Sequence, residues 1–276
     1  MIRSLFSISC ILLIALILEA QEPASLVNPF IGTSNYGAAF PGAVAPSGMA
    51  SVVPYNVSAS EGNELNTDTN WLSNPYVFQN KILTGFSHVN LHGVGCPDLG
   101  SILLMPITGE LQVDYREYGT RYSREEAHPG YYRNVLDRYD ILAEVTATTR
   151  TGMSRFTFPE GTSHILIHLG HGLTNESGAM IRQVSDTRFE GMKLLGTLCY
   201  NPQAVFPVYF AVEFSKTPSA SGYWKKMKEL PGVRHQWSPT SGKYKFYTHY
   251  QKELAGEDIG AYLSWETEQD EEIEVK

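Results

Sequence analysis

Cysteine is nearly absent. The 276 residues hold three, Cys10, Cys96 and Cys199, too few for a small fold held together by disulfides. Basic charge is short as well. Lysine and arginine number 21 against 29 acidic residues, for a net charge of -8. No basic patch recurs, so a nucleic-acid partner is excluded. The lone cluster Lys225-Lys226-Met227-Lys228 reads as solvated surface. Long apolar runs are missing too. The one candidate, Ile11-Leu12-Leu13-Ile14-Ala15-Leu16-Ile17-Leu18, falls short of the ~20 residues a spanning helix needs. No internal repeat is visible, and helical periodicity is scarce.

What is present begins with a leader pattern. Arg3 precedes the short apolar core, and Ala20 offers a small residue before Gln21. This predicts a cleaved signal peptide over residues 1–20 and a mature chain over 21–276. The mature protein is then exported, to the periplasm or the cell surface, with no membrane attachment after cleavage. Cys96 and Cys199 survive processing. An oxidising compartment permits their pairing, although nothing in the sequence brings them together.

Period-two alternation dominates the rest. Ala143, Val145 and Ala147 share one face of Ile141–Ala147, with Glu144 and Thr146 on the other. Val208, Phe210, Val212 and Phe214 align, as do Ile259, Ala261, Leu263 and Trp265. Residues 152–159 and 165–169 add two more half-buried strands. Glycine- and proline-bearing turns separate them. Residues 223–230 read as a short helix. The sum is an all-β fold, a large antiparallel sandwich with little helix.

Two stretches break the alternation. Residues 31–80 are rich in glycine and proline and read as long irregular loops over the sandwich, of the kind that often carries function. Residues 85–100 are studded with glycine and with His88, Asn90, His92, Cys96 and Asp98. A loop bearing such groups beside a rigid strand suits a binding site. The charged turn at 266–272 is followed by Ile273-Glu274-Val275-Lys276, an alternating strand that stops abruptly. It suggests a chain cut from something longer.

Ordered blocks across the mature chain resemble glycoside hydrolase family 92, the exo-acting α-mannosidases common in gut Bacteroidetes. They include Val27-Asn28-Pro29-Phe30-Ile31-Gly32-Thr33, Phe40-Pro41-Gly42-Ala43 and Pro46-Ser47-Gly48-Met49. Gly85-Phe86-Ser87-His88, Gly93-Val94-Gly95-Cys96, Ile102-Leu103-Leu104-Met105-Pro106 and Pro129-Gly130-Tyr131-Tyr132 continue the match. The resemblance implies an N-terminal β-supersandwich, related in shape to galactose mutarotase. It also implies a C-terminal (α/α)6 catalytic domain, an active site between the two, and calcium. Such enzymes invert the anomeric centre with an acid and a base carboxylate. Those carboxylates and most calcium-holding groups belong to the C-terminal domain, which is absent here. No catalytic residue, metal ligand or cofactor is therefore assigned to this chain, and Ca2+ is implied for the complete enzyme alone.

The sequence departs from the family pattern in places. Asn90 stands where histidine is usual, His92 where serine is often found, and Pro97 interrupts a Gly-Cys-Gly-Asp pattern. Ser47 replaces a usual phenylalanine. All lie in loops expected near the sugar.

The candidate substrate-binding residues are Phe40, Trp71, His88, Gly95, Cys96 and Asp98. Aromatic rings stack on apolar sugar faces, which suits Trp71 in its polar setting and Phe40 in the same irregular segment, although ordinary packing is the commoner fate of such a phenylalanine. His88, His92 and Cys96 recur every four residues, as zinc ligands on a helix would. Gly93, Gly95 and Pro97 argue instead for a self-braced loop. Asn56-Val57-Ser58 and Asn175-Glu176-Ser177 match glycosylation acceptors, a match read as accidental in a bacterial-type chain.

Three functions follow. The first is a carbohydrate-binding, substrate-shaping N-terminal module of an exo-acting α-1,2-mannosidase-like enzyme, without hydrolytic activity alone. Its partners are a mannose-containing glycan and an (α/α)6 domain in cis or trans. The second is a free-standing carbohydrate-binding module. The third is a mutarotase-like epimerase, with His168 or His171 and a carboxylate such as Glu144 as acid and base.

Overall fold

Alternation along the sequence becomes alternation of burial along the strands. The computed structural model describes residues 22–34, 37–58, 74–91, 93, 98–173, 178–196, 201, 203–227, 243–248 and 252–276. Apart from a 3-10 turn at Pro23–Leu26 and one helical turn, α1 (Tyr115–Tyr118), the regular elements there are strands. In chain order these are β1 (Ala43–Val44), β2 (Ser51–Tyr55), β3 (Ile82–Leu83), β4 (Gly85–Val89), β5 (Ser101–Thr108) and β6 (Thr120–His128). Next come β7 (Tyr131–Leu136), β8 (Ile141–Ala147), β9 (Gly152–Phe158), β10 (Gly161–His168), β11 (Ala179–Ser185) and β12 (Arg188–Leu195). The last six are β13 (Phe206–Glu213), β14 (Ala220–Lys226), β15 (Tyr244–Tyr247), β16 (Glu253–Gly256), β17 (Ile259–Thr267) and β18 (Glu271–Val275).

The strands form three antiparallel sheets. The eight-stranded sheet has the order β1-β2-β4-β5-β10-β17-β14-β15. The six-stranded sheet runs β18-β9-β8-β7-β6-β3, and the four-stranded sheet β13-β12-β11-β16. A bridge between Phe214 and Val275 and reciprocal amide bonds between Glu213 and Lys276 (2.8 and 2.9 Å) join the two smaller sheets. Together they make one interrupted layer that packs against the eight-stranded sheet. This is the expected large antiparallel sandwich.

Register tells which side chains face which way, because cross-strand partners share a face. Phe86, Leu104, Ile167, Ala261 and Tyr223 lie in one such row. Phe86 packs against Phe156 and Tyr132 (6.0 and 6.5 Å between ring centroids), and Tyr223 packs against Phe189. That row is the core between the layers. The neighbouring row, Ser87, Leu103, His168, Gly260 and Trp224, points to the opposite, outer face. There α1 covers it, with Tyr118 edge-on to His168. Strands β10 and β17 are buried almost throughout, as centre strands covered on both sides should be.

Two expectations are corrected. The helix read over 223–230 is β14 as far as Lys226, paired with β15 and β17; residues 228–230 lie outside the described residues. Residues 31–80 are not all loop. Ser51–Tyr55 is buried at every position and sits inside the large sheet between β1 and β4.

Candidate functional site

The motif-bearing segments meet at the β4–β5 end of the large sheet. The amide of Gly93 donates to the carbonyl of Ala38 at 2.9 Å, and the side-chain amide of Asn74 donates to Ala39 at 2.6 Å. Residues 37–40 are thereby tied to Gly93 on one side and to Asn74 on the other. The backbone here is strained. Ala38, Ser47, Leu99 and Ile102 all have positive φ, at 49°, 55°, 65° and 58°. For a β-branched residue such as Ile102 this is a true outlier. Each such residue costs on the order of 1–3 kcal/mol and persists only where its surroundings impose it.

Most side chains at this end are satisfied, the exception being the buried Oδ1 of Asn74, which has no hydrogen-bond partner among the described residues. His88 alternates with Ser87 and so faces the core side, where its ring lies against Gly152 at the start of β9. Its Nδ1–H donates to the carbonyl of Ile102 at 2.9 Å, which leaves Nε2 as an acceptor. Burial lowers the His88 pKa, partly offset by that bond. Asn90 braces the turn. Its Oδ1 accepts from Ser87 Oγ at 2.6 Å, and its Nδ2 donates to Ser51 Oγ at 2.9 Å. The asparagine that replaces a usual histidine thus serves as a structural tie.

The sequence-derived candidates separate on the structure. His88 and Asp98 lie in this region, and Asp98 is buried. Phe40 is 6 % exposed and belongs to the main core cluster, so it presents little ring surface to solvent. Trp71, Gly95 and Cys96 fall outside the described residues, together with His92 and Cys199. Asn56 is fully buried and hydrogen-bonded to Val77, Asn80 and Tyr122, which leaves no room for a glycan. Among the described residues no three of His, Cys, Asp and Glu are grouped to hold a metal ion.

A second region lies on the outer face of the same sheet. A cavity of about 160 Å3 is lined by Tyr115, His168, Gly170, His171, Gly172, Lys226, Tyr244 and Asp258. His171 stacks on Tyr115 (4.0 Å, 7°), meets Tyr55 edge-on, and places Nε2 3.1 Å from the Thr84 hydroxyl. His168 lies edge-on to Trp224 at 5.4 Å. The two rings meet across Gly260, where a Cβ would overlap the indole. Burial lowers the His168 pKa to about 3, helped by the positive charges of Lys193 and Lys226. Burial likewise holds His171 well below its usual value. Both rings are neutral at pH 7.

The mutarotase-like pairing with Glu144 does not assemble. Glu144 lies on β8 of another sheet, accepting from Tyr131 (2.7 Å) and from both Nε and an amino nitrogen of Arg155 (2.9 and 2.7 Å). Sequence reasoning missed Tyr115, Lys226 and Asp258 as cavity residues. It also missed Lys193, fully buried on β12. The signal for Lys193 was present, since it falls in phase with Phe189 and Leu195 on the strand's buried face.

Comparison with known proteins decides the family. The model of the glycosyl hydrolase family 92 N-terminal domain matches residues 26–276. The chain belongs to this family. A family 92 α-mannosidase from Bacteroides thetaiotaomicron superposes with a TM-score of 0.73 at 30 % identity, covering 91 % of this chain and 32 % of that one. An inverting family 92 mannosidase from the same organism gives 0.65 at 20 %, over 93 % of this chain and 31 % of that one, a likeness of fold. An uncharacterized secreted glycosidase of Arthroderma benhamiae is 31 % identical over 145 residues, which are 48 % of this chain and 17 % of that protein. The chain thus spans about a third or less of these family 92 and glycosidase relatives.

Proposed function

We propose that this domain is the carbohydrate-binding, substrate-shaping N-terminal module of an exo-acting α-1,2-mannosidase-like enzyme. It lacks hydrolytic activity by itself. The observation that carries the reading is the Ala38–Gly93 bond, which ties residues 37–40 to Gly93 beside the positive-φ residues Ala38, Leu99 and Ile102. Strain of this kind is retained where pre-organisation has a use. The glycan is mannose-containing, the catalytic partner is an (α/α)6 domain, and the leader pattern directs the chain to the periplasm or the cell surface. Similarity to an α-mannosidase and to a secreted glycosidase supports the substrate class and the export.

Inverting hydrolysis needs two carboxylates about 6.5–9.5 Å apart, flanking the bond and a water. In the described part of the motif loops Asp98 is the one acid, and one acid cannot donate a proton and activate water at once. The test is mannose release from an α-1,2-linked mannobiose by the chain with calcium added. No release above a buffer control is expected. Turnover that disappears in Asp98→Ala would overturn the reading.

A further inference from the structure

A sheet edge with nothing beside it is a template for another strand. β13 forms such an edge. On one side it pairs with β12 in unbroken register, from Arg188 opposite Glu213 to Leu195 opposite Phe206. On the other side its partners among the described residues are confined to one end. Glu213 exchanges both backbone bonds with Lys276, and Phe214 bridges to Val275. Over residues 206–212 no described strand pairs with that side.

The ladder itself tells which groups face the open side. In an antiparallel pair, successive residues turn their N–H and C=O groups to opposite neighbours. Leu194 donates to the carbonyl of Gly178 at the head of β11, so its cross-strand partner Pro207 turns its backbone away from β12. Glu213 faces away as well, toward Lys276. Tyr209 and Ala211 lie between them in the same phase. They present two N–H and two C=O groups to the open edge. Pro207 adds a carbonyl and no donor, which marks the far end of the row.

The side chains agree. Residues 204–212 carry no charge, whereas exposed edges are ordinarily blunted by lysine, inward-pointing charge or a bulge. Tyr209 is 75 % exposed on the outer side of the sheet. On the core side burial decays along the strand, from the buried Val212 through the half-buried Phe210 and Val208 to the exposed Phe206. Burial is complete only beside the joint to β18, where a neighbouring strand stands.

We propose that the β13 edge is a strand-addition site for an extended, uncharged segment of a partner protein, running antiparallel to β13 in line with β18. Continuing the Glu213–Lys276 pairing, the guest exchanges backbone bonds with Ala211 and Tyr209. Main-chain bonds give such a complex its affinity, and alternate side chains its selectivity. Apolar guest residues on the core side pack beside Val208 and Phe210. A second copy of the chain fits poorly. Paired symmetrically about Tyr209, its Val205 would come opposite Glu213, whose outward groups Lys276 already holds. The site does not depend on the sugar-binding role proposed above.

The experiment titrates the peptide acetyl-Thr-Val-Thr-Val-Thr-Val-Thr-amide into the isotope-labelled whole chain. Saturable amide shifts at 206–212 are expected, with hydrogen exchange at Tyr209 and Ala211 slowed about tenfold at saturation. Ala211→Pro removes an outward donor and leaves the β12 ladder intact. It should weaken peptide binding about fivefold, with an unchanged circular dichroism spectrum. The same peptide N-methylated throughout should not bind. Absence of saturable shifts at 206–212 overturns the proposal, as does equal binding of the N-methylated peptide or equal binding by Ala211→Pro. A concentration-dependent dimer in sedimentation, lost in Ala211→Pro, would assign the edge to a second copy and overturn it too.

Discussion

The two histidine-bearing faces of the large sheet are built on opposite terms. Around His88 the backbone is strained and the side chains of the turn itself are satisfied, with the Asn74 Oδ1 as the exception. Ile102 and Leu99 are held at positive φ, while His88, Ser87 and Asn90 all find partners. Around His168 the backbone ladder is regular, with unbroken register from Gly161 to His168 against β17. Among the described residues backbone strain there is limited to Asp258, at φ 46° in the turn before β17, and the buried His168 Nε2, Tyr118 hydroxyl and Trp224 Nε1 have no hydrogen-bond partner. Both conditions cost free energy of similar order. A strained loop is ready-shaped for a ligand that approaches the backbone. The difference sets a loop cluster whose strain sits in the backbone against a histidine cluster whose cost sits in buried side-chain atoms.

The largest effect expected from this contrast is a pH dependence that belongs to the His168 face. The His168 pKa falls from its ordinary 6.5 to about 3 on folding, so the unfolded chain binds the proton more tightly. The resulting stability is complete above pH 6.5 and is lost as pH falls toward 3. It amounts to roughly 5 kcal/mol as an upper figure, and His171 shifts in the same direction. Urea midpoints at pH 7.5, 6 and 5 should fall in that order, and His168→Asn should flatten the slope.

Phe40→Ala sharpens the other side. A core phenylalanine costs about 3–5 kcal/mol on truncation, read as a drop in urea midpoint. A sugar-stacking Phe40 would instead weaken mannoside binding and leave stability intact. Gly260→Ala comes next. The new Cβ overlaps Trp224, and overpacking of this kind costs about 1–3 kcal/mol. Its thermal transition should fall, and the tryptophan fluorescence should change with it. Smallest is Asn90→Ala, which unties Ser51 and Ser87 at about 1 kcal/mol. It should raise hydrogen exchange at 88–93 and leave His168 and its neighbours untouched.

Much of this contrast could be read beforehand on one side and little of it on the other. Strands with one wet face announce themselves by alternation, as Tyr131–Leu136 and Ile141–Ala147 do. Strands covered on both sides do not. Ser51–Tyr55 is buried throughout and carries Pro54, so neither period nor composition marked it as a strand. Tyr223 and Trp224 are both buried because they point to opposite covered faces. Trp224 fits only because Gly260 opposite it has no side chain. The His88 loop was legible because its residues carry a family pattern. The His168 cavity is assembled from α1, β10, β14, β15 and the turn before β17, and no local spacing reports such a gathering.

The central claim is that the motif loops, and not the histidine cavity, form the sugar-facing surface. Amide chemical-shift mapping of the isotope-labelled chain with methyl α-mannoside tests it most directly. The account predicts shifts confined to residues 37–40 and 88–103, with no mannose released in parallel. Shifts centred on His168, His171 and Lys226, with the motif loops unmoved, would contradict it.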